Sequence, residues 1–431
     1  MTEAHQEVLI PRSSSGSPIR RASSATLLAE GRGAHVFGSI VNIITNVVGA
    51  GFVTLAFCLQ QVGLGLGLTL MLATCALNAV SAVMIAECCE VGCSFDFLAL
   101  GERAFGTAFG RLVQATMAVY TLGSCVSYIV LIGDFFTPYV LYLRDSFAAE
   151  LLPETQPEVR LCVITAASVI ILLPLSLRRN LHSLWWSSGL GVLAMMYTTA
   201  MVMCRERSDG AAENVQLWQP SWVGLFEVLP IYSVAFTAHY NMPRYYSELG
   251  ELRSRATFSG IIGVSFSAVF VCCALTAAFG YLCFGADIQG NLLNNFEAND
   301  FQGALARIGL GLVVIAAFAL VLHSLRASIE TLAGLDAKQR AKASYCKLHL
   351  PLTTALIAVS LVIAACVPHV EVILGYKGAV AGTLIVYVFP GLLYWKLKAP
   401  YQWWPLVFAA FGIAVAFWGT LATTLKLLGR S

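Results

Sequence analysis

Apolar residues in this chain arrive in blocks about as long as a bilayer is thick, near residues 36-58, 63-87, 109-142, 160-178, 182-203, 221-243, 256-283, 303-325, 348-367, 370-395 and 403-425. A helix needs roughly 20 apolar residues to cross the hydrocarbon core, and inside that core every backbone N–H and C=O must be satisfied within its own segment. Blocks of this length therefore predict helices. The composition agrees: 58% of the 431 residues are hydrophobic and 12% charged, against about 25% charged in a typical soluble protein. The expected fold class is an all-α integral membrane protein with about 11 transmembrane helices.

A net charge of +2 gives no basic stripe for nucleic acid, and none is expected as a partner. The thirteen cysteines show no metal spacing, and the chain has neither a P-loop nor a nucleophile elbow. No enzyme chemistry, cofactor or metal is expected. Cys88, Cys89 and Cys93 cluster at a predicted membrane edge, where acylation is one reading and apolar filling the other.

Residues 1-35 are rich in Ser, Arg and Ala, and read as a disordered cytoplasmic tail. Orientation follows from Lys and Arg: with the N-terminus inside, 18 basic residues fall on the inner side and 7 on the outer, Lys377 lying within a span. The acidic loop FGADIQGNLLNNFEANDF from Phe284 then faces outward, and the loop holding Lys338, Arg340, Lys342 and Lys347 faces inward. The C-terminus is expected outside. The third and sixth blocks exceed what a bilayer requires, which predicts tilt, a break, or extension past the headgroups.

The first span contains NIITNVVGAGF from Asn42. Asn42 and Asn46 are four apart, as are Thr45 and Gly49, so a helix would align polar and small columns. Gly49 and Gly51 then weaken the helix in mid-membrane. Small residues can simply allow close helix packing, but buried amides and a hydroxyl are expensive in hydrocarbon unless they line a cavity or find partners. An unwound Gly49-Ala50-Gly51 would offer backbone N–H groups and a positive helix end to a carboxylate. The sixth span contains LPIYSVAFTAHYNMPRYYSEL from Leu229, where Pro230 and Pro243 bracket Thr237, His239 and Asn241. Two prolines with polar residues between them predict an irregular segment. Interruptions at matching places in two halves point to a substrate site.

These residues also carry a family resemblance. Asn42, Thr45, Gly49 and Gly51 in the first span, HYN from His239 with Glu248-Leu249, FLALGERAFG from Phe97, SYIVLIGD from Ser127, RNLHSL from Arg179, GYLCFG from Gly280 and Phe389-Pro390-Gly391 occur in the order seen in the amino acid/auxin permease family. The chain resembles that family's vacuolar amino acid permease and sodium-coupled neutral amino acid transporter branches. The resemblance implies a five-plus-five inverted repeat of the LeuT/APC type with broken helices 1 and 6: residues 36-203 as the first repeat, 221-395 as the second, and 403-431 as an eleventh helix and short tail. It implies a secondary amino acid transporter working by alternating access. Gly49, Ala50 and Gly51 would take the substrate carboxylate, with Asn42, Thr45 and Phe52 nearby. Ala235, Phe236 and Thr237 would form the sixth-span side, and Tyr120 with Ser124 a third-span wall.

Sodium-coupled relatives place a hydroxyl in the eighth span, whereas GLGLVVIAAFALVLHS before Arg326 has none until Ser324. A hard cation wants several oxygen ligands, so proton coupling, with symport, or uniport is expected. His239 is the proton-coupling candidate, its reference pKa of about 6.5 lying near physiological pH. Glu87 and Glu330 read as solvated at inner ends, Asp134 as solvated toward an outer end, Glu227 as a possible gate, and Lys377 as snorkelling to the outer interface. Phe52, Phe236 and Tyr120 lean toward neutral amino acids. Sodium-coupled or cationic amino acid transport, and a membrane amino acid sensor or scaffold, are the alternatives. The expected partners are a free amino acid, a coupling proton and the lipid bilayer; the chain is expected to be monomeric, in the plasma membrane or a vacuolar or lysosomal membrane.

Overall fold

The computed structural model describes residues 36–47, 49–147, 153, 155–178, 186–205, 215–335 and 348–429. The N-terminal tail, the RNLHSL motif from Arg179 and the basic loop holding Lys338 to Lys347 lie outside them. Among the described residues the regular structure is entirely helical. Seven helices are long and apolar enough to cross a membrane, or eight when one bent pair counts as a single span.

In chain order the helices are α1 (Val36–Val47), α2 (Leu55–Val62), α3 (Leu64–Val91), α4 (Phe97–Phe105), α5 (Thr107–Phe147), α6 (Gln156–Ser176) and α7 (Trp186–Met203). They continue with α8 (Trp222–Ala235), α9 (Met242–Glu248), α10 (Arg255–Phe284), α11 (Phe301–Leu332), α12 (Leu350–Cys366), α13 (Val370–Leu397) and α14 (Trp404–Leu427). The starts are set locally. Asp96, Ser221, Ser254 and Asp300 each accept a backbone N–H from the first turn of the helix they precede, satisfying donors that a helix start leaves orphaned. Gly63 separates α2 from α3 at φ 89°, where a Cβ would also lie 2.9 Å from the backbone nitrogens of Trp218 and Gln219; only glycine suits both demands.

Helix α5 holds 41 residues in one unbroken run despite Pro138. At 1.5 Å per residue it is about 60 Å long, twice a hydrocarbon core, so the third apolar block runs on past the headgroups. It passes through the centre of the bundle, against α4, α6, α11, α12 and α13. Helix α8 packs on α2, α3, α13 and α14. Helix α13 contains two widened π turns, Gly378–Gly382 and Leu384–Val388. The outward faces stay apolar, as with Leu72, Ile170, Val362 and Phe417, which are exposed as a lipid-facing surface requires.

Two of the three carboxylates expected to be solvated at helix ends, Glu87 and Asp134, are paired instead, while Glu330 is half-exposed. Glu87 is 3% exposed and bonded to Arg255 at 2.7 Å, to Lys398 and to the Tyr394 hydroxyl at 3.2 Å, tying α3, α10 and α13 together. Its partners are remote in sequence, so position within a span does not reveal them. Asp134 pairs with Arg160 at 2.9 Å and accepts from Asn291. Arg307 is 1% exposed, and its guanidinium donates to the carbonyls of Leu293, Phe296 and Glu297 and to the Tyr139 hydroxyl. The loop before α11 is thereby fastened to that helix. Of the cysteine cluster, Cys88 and Cys89 are buried and Cys93 is exposed.

Candidate functional site

Both predicted interruptions are present. Val36–Val47 and Phe52–Val62 meet at a bend of 52°, with Gly49, Ala50 and Gly51 outside regular helix. The ladder resumes in a tighter form, Phe52 N–H donating to Gly49 and Thr54 N–H to Gly51, both at 3.1 Å. The positive end of the Phe52–Val62 segment therefore points into the break. In the sixth block α8 ends at Ala235, residues 236–238 are irregular, and a 3-10 turn at His239–Asn241 leads into α9. The negative end of α8 faces this second break.

The two breaks touch. A Cβ built on Gly51 would lie 2.8 Å from the Ala235 Cα and 2.9 Å from its Cβ. Real Cβ atoms do not come so near, so Gly51 is what lets the first break lie against the last residue of α8. Ala50, Phe52, Ala235, Phe236 and Thr237 are all within 3% of full burial, and the structure brings these residues to one place. Ser124 and Tyr120 are also buried, but the Ser124 hydroxyl donates to the Tyr120 carbonyl one turn back.

Two residues expected to line the pocket, Asn42 and Thr45, and the proton-coupling candidate His239 have the following settings. Asn42 is exposed. Thr45 donates its hydroxyl to the carbonyls of Val41 and Ser188, at 2.9 and 2.7 Å, joining α1 to α7. His239 is fully buried with its Nε2 3.0 Å from the Asn78 carbonyl on α3 and its Nδ1 without a partner. It is enclosed in a polar knot: Asn78 donates to the Ser233 carbonyl at 3.0 Å, and the Tyr387 hydroxyl lies 2.9 Å from both the Asn78 side-chain oxygen and the Ser233 hydroxyl. This knot fixes the end of α8 to α3 and α13.

The structure also brings in residues that were not singled out for the site. Asn46 donates to the Tyr245 hydroxyl at 2.6 Å and accepts from the Tyr240 hydroxyl at 3.0 Å. The Tyr240 ring lies 5.7 Å from that of Tyr120, and the Tyr128 hydroxyl sits 3.4 Å from where a Gly49 Cβ would be. Lys377 does not turn outward; its amine is 4.4 Å from the centre of the Tyr120 ring. The signal for the tyrosines was present in HYNMPRYY, but an aromatic at helical spacing reads equally well as core. A separate cavity of about 440 Å³ lies beyond the breaks, among Gln60, Gln61, Gln216, Gln219, Glu227 and Lys426. There Glu227 pairs with Lys426 at 2.6 Å.

A helical membrane protein with two interrupted helices meeting at a buried point has the arrangement in which substrates are held by helix ends at mid-membrane. The chain belongs to the family described as transmembrane amino acid transporter protein, which matches residues 32–425; this is a family of transporters and not of enzymes. Among curated relatives, Solute carrier family 38 member 10 of Mus musculus is 28% identical over 84% of this chain and 33% of its own length. Putative sodium-coupled neutral amino acid transporter 10 of Xenopus laevis is 29% identical over 84% of this chain and 34% of its own. Sodium-coupled neutral amino acid transporter 7 of Danio rerio is 22% identical over 84% and 78%. The chain thus spans about a third of the length of the first two.

Proposed function

We propose that this protein is a secondary transporter that moves free amino acids through a multi-pass bundle by alternating access. The observation that carries the reading is the contact between Gly51 and Ala235, which places two oppositely charged helix ends at one point. The substrate carboxylate takes the N–H groups around Gly49, Ala50 and Gly51, and its ammonium takes the carbonyls at the end of α8 near Ala235, Phe236 and Thr237. The helices form eleven spans, the first ten as a five-plus-five inverted repeat, with the N-terminus cytoplasmic and the chain acting as a monomer. The cavity at Gln60 and Glu227 is then the outer vestibule.

Transport is independent of sodium in this reading, whatever the names of the relatives say of those proteins. Where α1, α7 and α11 approach each other at Gly191, the nearest atoms are carbons of Thr45 and Val313, and the Thr45 hydroxyl is already bonded to the carbonyls of Val41 and Ser188. A hard cation needs more oxygens than this. The protein is a proton symporter through His239 or a uniporter. Because His239 is sealed against α3, taking up a proton requires the sixth span to move. Of the side-chain class, the aromatic residues speak for neutral substrates and the Lys377 amine for anionic ones.

The test is uptake by proteoliposomes of a radiolabelled amino acid panel, with and without sodium and with and without a pH gradient. Saturable uptake unchanged by replacing sodium is the expected result. No flux for any amino acid would remove the transport reading, and a strict sodium requirement would remove the coupling reading.

A further inference from the structure

We propose that Lys377 selects substrates with a second carboxylate, so that the preferred cargo is an acidic amino acid; the inference rests on the transport reading of the same site. Lys377 stands on α13 between Tyr376, whose hydroxyl meets Thr424 on α14 at 2.9 Å, and Gly378, which packs against Pro230 of α8. Its stem lies across α5: a Cβ on Gly123 would be 3.1 Å from the Lys377 Cγ and 3.2 Å from its Cβ. Glycine at 123 thus opens the groove in which the lysine lies. The amine ends over the Tyr120 ring, 4.4 Å from its centre.

The other cations held within the bundle have fixed oxygen partners. Arg307 has carbonyls, Arg160 has Asp134, Lys398 has Glu87 and Lys426 has Glu227. Among the described residues no carboxylate lies within ion-pair distance of Lys377. An aromatic face attracts a cation only weakly compared with what leaving water costs it. An ionisable residue at membrane depth is by default a candidate for an ion or substrate pathway. In a dry interior an amine without a fixed counter-ion holds its proton only when an anion reaches it, and such an anion has to be mobile.

The position of Tyr120 says what. Its ring stacks near Tyr240, whose hydroxyl donates to Asn46, one turn before the Gly49–Gly51 break. The lysine therefore sits on the wall that faces the helix ends assigned to the α-carboxylate and α-ammonium. A substrate held there by its backbone groups presents its side chain to Lys377, and a side-chain carboxylate neutralises it. The occupied site then carries no net charge into the membrane. Phe52 and Phe236, which favoured neutral side chains at the level of sequence, are packed into the apolar core, and Tyr120 is covered by the amine itself.

The experiment is counterflow of radiolabelled glutamate and glutamine in proteoliposomes of the full chain. Wild type is expected to exchange glutamate at least about tenfold faster than glutamine at low concentration, in keeping with the coupling of one close charge pair. Lys377→Met should invert that ratio and Lys377→Arg should keep its direction. Thermal stabilisation of purified wild type by glutamate over glutamine gives a second readout, valid even if the methionine variant does not fold. Wild type that exchanges or is stabilised by glutamine in preference to glutamate overturns the proposal, as does a Lys377→Met variant that keeps the wild-type ratio. Exchange of neither amino acid, nor of any other, overturns the transport reading as a whole.

Discussion

Gly51 and Ala235 are pressed together so closely that a single added methyl on the glycine would have nowhere to go. Gly49, two residues earlier, is different: its Cβ would meet the Tyr128 hydroxyl at 3.4 Å and the Val47 carbonyl at 3.9 Å, ordinary contact distances. Gly51→Ala is therefore expected to cost about 1–3 kcal/mol in overpacking and to reduce transport at least about tenfold. Gly49→Ala should retain most activity, whereas Gly49→Leu should abolish it while leaving protein in the membrane. Initial uptake rates normalised to surface expression compare the three; equal loss in both alanine variants would contradict the contact.

Asn78 holds Ser233, Tyr387 and His239 at once. Asn78→Leu leaves the Ser233 carbonyl without its side-chain donor and the Tyr387 hydroxyl without one of its acceptors, a penalty of about 1–3 kcal/mol for each group left unsatisfied in a dry interior. A detergent melting curve should show a lower midpoint than wild type, and an unchanged midpoint would mean that water replaces the amide.

His239→Ala bears on coupling. If this imidazole carries the proton, the variant loses acceleration by an inward pH gradient while still exchanging substrate at equilibrium. Full gradient-driven accumulation in the variant would exclude His239 as the carrier.

Arg307 donates to three carbonyls and a tyrosine hydroxyl while buried. Arg307→Met removes all of these bonds together, and a loss of roughly 2–5 kcal/mol is expected from the carbonyls left behind. Limited proteolysis would detect it as new cleavage between residues 285 and 300, and wild-type resistance there would show that the loop holds without the arginine.

Much of the site could be read from the chain because breaks in membrane helices have local causes. Gly49 and Gly51 beside Asn46 weaken the ladder through their own backbone chemistry, and Pro243 suits only the start of α9; Pro230, by contrast, sits inside α8 without breaking it, and the irregular residues are 236–238. What the chain did not disclose depends on residues brought in from afar. Lys377 turns to Tyr120 because Gly123, on another helix, leaves room for its stem. Glu87 is buried because Arg255 and Lys398 arrive from α10 and α13. Thr45, expected beside the substrate, is half-buried and gives its hydroxyl to the Ser188 carbonyl, and no spacing in the first span announces that.

Asn46 gives α1 a second attachment. It lies on α1 before the break and bonds to Tyr240 and Tyr245 after the sixth-span break, so α1 and α9 are clasped side chain to side chain while their backbones are separated from α2 and α8 by unwound residues. The pair is not free-standing: the Tyr246 hydroxyl on α9 donates to Glu90 on α3, and His239 meets the Asn78 carbonyl there. Any rearrangement that carries α1 and α9 together has therefore to give up these contacts with α3 as well.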